Sequence, residues 1–432
     1  MSAVTIPNAG KYDLLVDVGF LVDGFTLDDP VKGLLDSPDY VLDGSTSYAS
    51  VIAGTTDLNV RRGRQDPDDQ FTVGTMTFTL NDTLADGVFN PFDDSTSNPY
   101  YDQALGVPGL APGRAVQLIR YDNSDTPEYL FVGFVVNYEY QFVLGGNDTV
   151  TVFCADNMYR LSSTFLEAQN PTKEFTGARI NAILDLPEVD YPTGSARDIA
   201  AGTVELGGSG QYAISQGTNV KSYFDQITYT AERGRIFIDR EGVLVSQNRI
   251  GSTLSSPSAT FSDQGDIPYN DLKIDFKADQ IVNYADVSTR GSHVGNAQDP
   301  ASQAEYFIKS LFITDSLLES NTAAADLAAY LLVPEPEPRF TAVQSWFGAL
   351  TVTERDTAAI LDIGETILIQ KEILIGNVPT LRGQESAVEG VEHRISTDRG
   401  HTIRLYTSPT TIVYELILDD TNQGILDTNV LG

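Results

Sequence analysis

Four residue types are nearly absent from this 432-residue sequence, which has one Cys, one Trp, three Met and three His. With Cys154 alone, neither an intrachain disulfide nor a four-cysteine metal site can form. Its neighbours, Thr151-Val152-Phe153 and Ala155, read it as a small core residue and not a nucleophile. Cations are scarce as well, 27 Lys+Arg against 60 Asp+Glu, for a formal net charge of −33. Such a chain argues against gripping the phosphate backbone of DNA or RNA, which calls for clustered Lys and Arg. The acidity is spread through the chain: residues 1–165 carry 8 basic against 23 acidic residues, 166–340 carry 13 against 24, and 341–432 carry 6 against 13. No apolar run approaches the ~18 residues of a spanning helix. Met1 to Gly10, MSAVTIPNAG, lacks a basic-then-apolar leader, so the expectation is a soluble product made in a cytoplasm.

Signatures of catalysis are missing too. There is no Gly-x-Ser-x-Gly elbow, Walker loop, His-Glu-x-x-His or dinucleotide fingerprint. Paired carboxylates abound in so acidic a chain and therefore identify no glycosidase. His393 and His401 flank one hairpin and could face each other, but two His without a third ligand make a weak zinc site. Asp66-Pro67-Asp68-Asp69 and Asp93-Asp94-Ser95-Thr96 gather the oxygens that calcium wants, without EF-hand spacing, and solvated loops are the plainer reading. Tyr100-Tyr101, Tyr138 and Tyr140 read either as subunit contacts or as buried strand aromatics. The expectation is a non-enzyme with no cofactor, no metal and no catalytic residue.

What is present is strand pattern. Apolar residues make up 41%, enough for real cores. From Phe71 onwards, Met76, Phe78 and Leu80 alternate with Thr75, Thr77 and Thr79, the period of a strand with one buried face. A polar loop rich in Asp86-Gly87, Asn90-Pro91 and Asn98-Pro99 follows, and Pro112-Gly113-Arg114 leads into a return strand over Ala115 to Tyr121. Further strands are read at 11–25, with Asp23-Gly24 as a turn, at 34–44 and at 57–62. A hairpin pairs Tyr129–Tyr140 with Asp148–Ala155. Near residue 176 the pattern changes to short helices at about 177–186, 220–233 and 322–332, capped by Thr176, Asn219 and Asn321. Phe175 and Ile180 make a candidate hydrophobic staple. Strands at 268–290 place Ile274, Phe276, Ile281, Val282 and Val287 in a core, and His293 to Ala304 reads as a polar loop. Pro334-Glu335-Pro336-Glu337-Pro338 is an extended spacer. Beyond Phe340 only strands are read, among them a hairpin of Val388–Ile395 with His401–Tyr406. The fold class expected is mainly β with α+β: two small β-barrel domains, 1–165 and 341–432, flanking a mixed α+β region at 166–340.

The chain resembles the minor tail proteins, or tail-tip hub proteins, of long-tailed phages that infect actinobacteria. Arg62-Gly63-Arg64, Gly74-Thr75, Phe89-Asn90-Pro91, Asn98-Pro99-Tyr100-Tyr101 and Pro112-Gly113-Arg114 carry that likeness first. Thr176-Gly177-Ala178-Arg179-Ile180, Arg233-Gly234-Arg235, Asp239-Arg240-Glu241-Gly242 and Gln280-Ile281-Val282-Asn283 continue it. Asp362-Ile363-Gly364-Glu365, Val388-Glu389-Gly390 and Ser408-Pro409 complete it. Asn98 stands where the family usually has Ser. The resemblance implies a structural virion protein, a trimer whose barrels form a ring continuing the tail tube, with other tail-tip and tail-tube proteins as partners. Genome DNA would pass through the lumen without specific binding, and carboxylates lining it would repel the phosphates. The alternatives are a receptor- or carbohydrate-binding tail protein, which would call for a lectin-like domain or aromatic cleft, and a cell-wall or polysaccharide hydrolase, which would need a catalytic cluster.

Overall fold

The computed structural model describes residues 3–18, 48–67, 69–82, 89–90, 92–95, 98, 100–102, 106–248 and 257–410. The strands read at 34–44 and the Asp23-Gly24 and Asp86-Gly87 turns lie outside these residues. So do Asp68, Pro91, Thr96 and Pro99.

The chain is mainly β, and one large sheet dominates it. Alternation at 75–80 produces the expected strand, Thr72–Asn81, with Met76, Phe78 and Leu80 buried. It lies between Thr55–Gly63 and Thr149–Ala155, both antiparallel to it. On the far side of Thr149–Ala155 come Pro127–Gln141, Ala115–Tyr121 and Gly10–Asp17 in turn.

The expectation of two separate closed β-barrels needs correction. Thr55–Gly63 pairs through its other edge with Val378–Ser396, in a register running from Gly63↔Gly390 to Asp57↔Ser396. Strands from both ends of the sequence therefore share one sheet, which continues through Gly400–Pro409 and Arg339–Trp346 to Asp271–Asp275. No closed barrel is found among the described residues. The physical reason is the 19-residue strand Val378–Ser396. Its first half pairs with Thr366–Ile375 and its second half with Thr55–Gly63, along the same edge. One hydrophobic core spans these strands, from Leu14, Val60 and Phe78 to Ile367, Val391 and Leu405.

A second core fills the middle of the chain. Helix Val220–Ile227 presents Val220, Phe224 and Ile227 to it, and Asn219 accepts from Ser222 N as its cap. Five residues of π-helix, Thr228–Glu232, continue it to Arg233, whose φ of 56° ends the element. Helix Thr176–Leu184 starts without a side-chain cap, because Phe175 holds the N-cap position; Thr176 is the first helical residue, and its hydroxyl donates to Glu232 Oε2 at 2.7 Å. Phe175 is half exposed, so the staple is not formed by a buried pair. Helix Asn321–Tyr330 is capped by Ser320, while Asn321 Oδ1 accepts from Val294 N.

The strands read at 268–290 divide between the two bodies of structure. Asp271–Asp275 joins the large sheet, and Tyr284–Thr289 joins a three-stranded sheet with Val294–Gln298 and Ser310–Ser316. Ile281 and Val287 are buried, whereas Ile274 and Phe276 are exposed because Asp271–Asp275 is an edge strand. Two further helices correct the sequence reading. Asp299 caps Pro300–Tyr306 inside the stretch read as loop, and Thr351 caps Val352–Ala359 inside the stretch read as all strand.

Candidate functional site

Residues scattered over more than 300 positions of sequence meet in one buried knot of charge where the large sheet touches the middle core. Alternation along Thr55–Gly63 turns Arg62 inward, and its Nη1 donates to Asp362 Oδ1 at 2.6 Å. Asp362 Oδ2 accepts the backbone N–H of Arg240 at 2.7 Å. Next along the chain, Arg64 Nε donates to Glu389 Oε2 at 2.9 Å. Glu389 Oε1 accepts from Arg235 Nη2 and from the Ser408 hydroxyl, both at 2.6 Å. Burial alone would raise the Glu389 carboxyl, but Arg235 and Arg64 outweigh it and hold it below the usual range. Gly63, at φ +83°, lets the backbones close on one another: a Cβ there would stand 2.3 Å from the Glu389 carbonyl oxygen.

A neighbouring carboxylate behaves in the opposite way. Asp156 accepts from Gly74 N at 2.8 Å and Met158 N at 3.0 Å. Complete burial with only distant help from Arg62 pushes it up to about 7. A third ion pair ties the unforeseen helix to the sheet, with Arg120 bonded to Glu128 at 3.0 Å and to Asp356 at 2.6 Å.

His393 and His401 do come together. His393 Nδ1 lies 3.0 Å from His401 Nε2, and the Tyr12 hydroxyl lies 2.8 Å from His401 Nδ1. Tyr12 also donates to the Ala9 carbonyl at 3.3 Å. With Nδ1–H on both rings every donor of the chain is used, and His393 Nε2 is left as a lone pair only. Burial pushes His393 down to about 3, helped by Arg62 and Arg120, and pushes His401 well down. Both rings are therefore neutral members of the core. No group of three or more His, Cys, Asp or Glu among the described residues is placed to hold a metal.

The other candidates scatter. Cys154 is buried and its thiol is pushed up by desolvation. Tyr100 is buried and stacks on Phe89 at 5.5 Å. Tyr138, Tyr140 and Phe142 form a ladder at 6.3 and 6.4 Å that leads to an exposed tip, Phe142-Val143-Leu144. Asp93 Oδ1 accepts from Ser95 N at 3.1 Å, a local turn. An open cavity of about 510 Å³ is lined by Arg61, Arg64, Gln65, Gln70 and Tyr229, with Asp69 as its one carboxylate. That set offers no nucleophile with an adjacent base.

The fold is similar to that of two tail proteins. One is the tail protein from Neisseria meningitidis MC58, with TM-score 0.55, 12% identity, and 93% of this chain matched to 97% of that one. The other is the 43 kDa tail protein of prophage MuSo2 from Shewanella oneidensis, with TM-score 0.51, 13% identity, and 85% of this chain matched to 97% of that one. No protein-family model and no curated protein sequence matches the chain.

Sequence reasoning did single out Arg62-Gly63-Arg64, Arg233-Gly234-Arg235, Asp362 and Glu389-Gly390, but as marks of likeness and not as partners. What it missed is that these motifs meet. Gly-Arg and Glu-Gly dipeptides on separate strands were the available signal, because an ion pair between closely approaching backbones needs both residue types.

Proposed function

We propose that this chain is a structural subunit of a phage-type tail, assembled at the tail tip as a ring, a trimer in our reading. The observation that carries it is the end-to-end likeness in fold to two tail proteins, reaching 93% of this chain and 97% of the Neisseria protein. A match over both whole chains leaves little room for an added lectin-like or hydrolytic domain in the described part. The charge agrees with the role: a ring through which DNA passes works best with walls that repel phosphate, and the chain carries −33. That repulsion acts only within about 8 Å at physiological salt, as a short-range bumper. The partners are further copies of the chain and neighbouring tail proteins, and the place of action is the virion.

The test is electron microscopy of the purified full chain together with its mass in solution. Trimers or rings with an open centre support the reading. Monomers at every concentration, or a ring whose lumen is lined by Lys and Arg, overturn it.

A further inference from the structure

The sheet of Tyr284–Thr289, Val294–Gln298 and Ser310–Ser316 turns one face to the middle core and one to solvent. Alternation sorts the residues: Ala285, Val287 and Ile313 are buried, and Tyr284, Asp286 and Phe312 lie on the other side. The register sets Asp286 opposite both Asn296 and Phe312, and Tyr284 opposite Gln298. Paired residues share a face, so these five side chains form one patch. The Tyr284 and Phe312 rings stand 6.1 Å apart, and Phe312 is 63% exposed. Asn296 and Gln298 are exposed as well, and among the described residues their side chains have no hydrogen-bond partner.

The loop that enters Ser310–Ser316 holds two more apolar residues out in solvent. Phe307 is 82% exposed and Ile308 68%. Phe307 sits at φ 59° and ψ 174°, a region that is almost reserved for glycine. One fully buried side chain fixes it there. Asn283 Nδ2 donates to the Phe307 carbonyl at 2.8 Å and to Ser302 Oγ at 3.1 Å, and Asn283 Oδ1 accepts from Lys309 N at 2.7 Å. The backbone adds Asn283 N to the Lys309 carbonyl at 3.0 Å. A strained aromatic that stays bare adds nothing to its own core, and strain of this kind collects where ligands are held.

We propose that this face, with Phe307 at its end, binds an uncharged oligosaccharide. A pyranose ring offers a layer of C–H bonds that packs on the negative face of an aromatic ring, and Phe312, Tyr284 and Phe307 supply such rings. Neighbouring hydroxyls call for donors and acceptors side by side: Asp286 accepts, and Asn296 and Gln298 do both. Charge selects the ligand too, because a chain of −33 repels an anionic polymer. Size argues against a second copy. At about 200 Å² for a whole side chain, Phe307, Ile308 and Phe312 bare roughly 400 Å², half of the ~800 Å² that each partner in a stable protein pair buries. Holding Phe307 in place beforehand removes an ordering cost from the binding of a small ligand. The site belongs to the middle core's own sheet and does not depend on a tail-tip role.

Isothermal titration calorimetry of the full chain with cellohexaose, maltohexaose and chitohexaose tests it. At least one should bind, and Phe307→Gly/Phe312→Ser should weaken that binding at least about tenfold, the loss expected of anchoring aromatics. No binding of any of the three, or binding that the double variant leaves unchanged, overturns the proposal. Thermal unfolding separates a binding role from a structural one. Glycine adopts a positive φ freely, so Phe307→Gly alone should keep or raise the midpoint. A lowered midpoint makes the ring part of the fold and overturns the proposal. Mass in solution decides against the remaining occupant: a parent chain that self-associates while the double variant does not assigns the face to a second copy and overturns it as well.

Discussion

Replacing Glu389 by Ala strikes the knot at its centre. The carboxylate is 1% exposed and accepts four hydrogen bonds: Arg235 Nη2 at 2.6 Å, Arg235 Nε at 3.3 Å, Arg64 Nε at 2.9 Å and Ser408 Oγ at 2.6 Å. Arg235 is itself 4% exposed, so without Glu389 its guanidinium remains buried and uncompensated. Breaking a buried pair in this way costs about 3–5 kcal/mol. Arg64 suffers less, since its Nη1 also donates to the Asp69 carbonyl at 2.8 Å. The assay is urea unfolding followed by far-UV circular dichroism and by the single Trp346, coincident transitions licensing one free energy. An Arg235→Met/Glu389→Met chain removes both charges, and its loss should fall short of the sum of the single losses by roughly 1–3 kcal/mol. A loss below about 1 kcal/mol for Glu389→Ala, or simple additivity, would refute the claim that this network locks the sheet to the middle core. The pH dependence has a definite sign. A carboxyl held below its usual range contributes stability above its unfolded pKa and loses it as pH falls through the folded one.

Two more predictions rest on the same region. The buried His393, near 3 when folded, and His401, well lowered, bind protons in the unfolded chain first, so stability should fall as pH drops below about 6.5, by up to ~1.4 kcal/mol per unit for each ring. Asp156, raised to about 7, opposes this with the other sign, and urea titrations of the parent and of His393→Leu/His401→Phe between pH 7 and 4 should show a shallower acid loss in the variant. Gly63→Ala forces a Cβ onto the Glu389 carbonyl at a positive φ, and should cost roughly 1–3 kcal/mol or more, read as a lowered thermal midpoint against Gly113→Ala, which meets nothing within 4 Å.

Local signals were legible and long-range ones were not. Alternation of Met76, Phe78 and Leu80 with threonines names a strand because the period is a property of one strand alone. Asn219 as the cap of Val220–Ile227 is equally local. Thr351-Val352-Thr353-Glu354 is a capping box written openly in the sequence, outweighed by the strand-like residues around it, and Asp299-Pro300 is a helix start outweighed by the polar, loop-like residues around it. Thr176 and Asn321 read as caps, but each is the first helical residue behind its N-cap, Phe175 or Ser320, and bonds to a group distant in sequence, Glu232 or Val294 N. Beyond the Gly-Arg and Glu-Gly dipeptides, the pairing of Thr55–Gly63 with Val378–Ser396 had no sequence signal that fixed its register. Register between strands so far apart is set by which buried faces match once the chain has collapsed.

The buried knot also bears on what the surface can do. Arg62, Arg120, Arg179 and Arg235 are all at most 4% exposed, and each is paired with a carboxylate inside the protein. Counting Arg64, which shares Glu389 with Arg235, and both partners of Arg120, five arginines meet five carboxylates, so the formal charge of −33 is left to the remaining residues, among which cations are fewer still than 27. A chain with so large an excess of carboxylates carries a net charge that opposes phosphate, felt within about 8 Å of its surface at physiological salt. For the ring proposed above, the direct test of that repulsion is charge reversal. If exposed Asp residues of an assembled ring are replaced by Lys without loss of assembly and DNA transit is unchanged, electrostatic repulsion has no part in the passage.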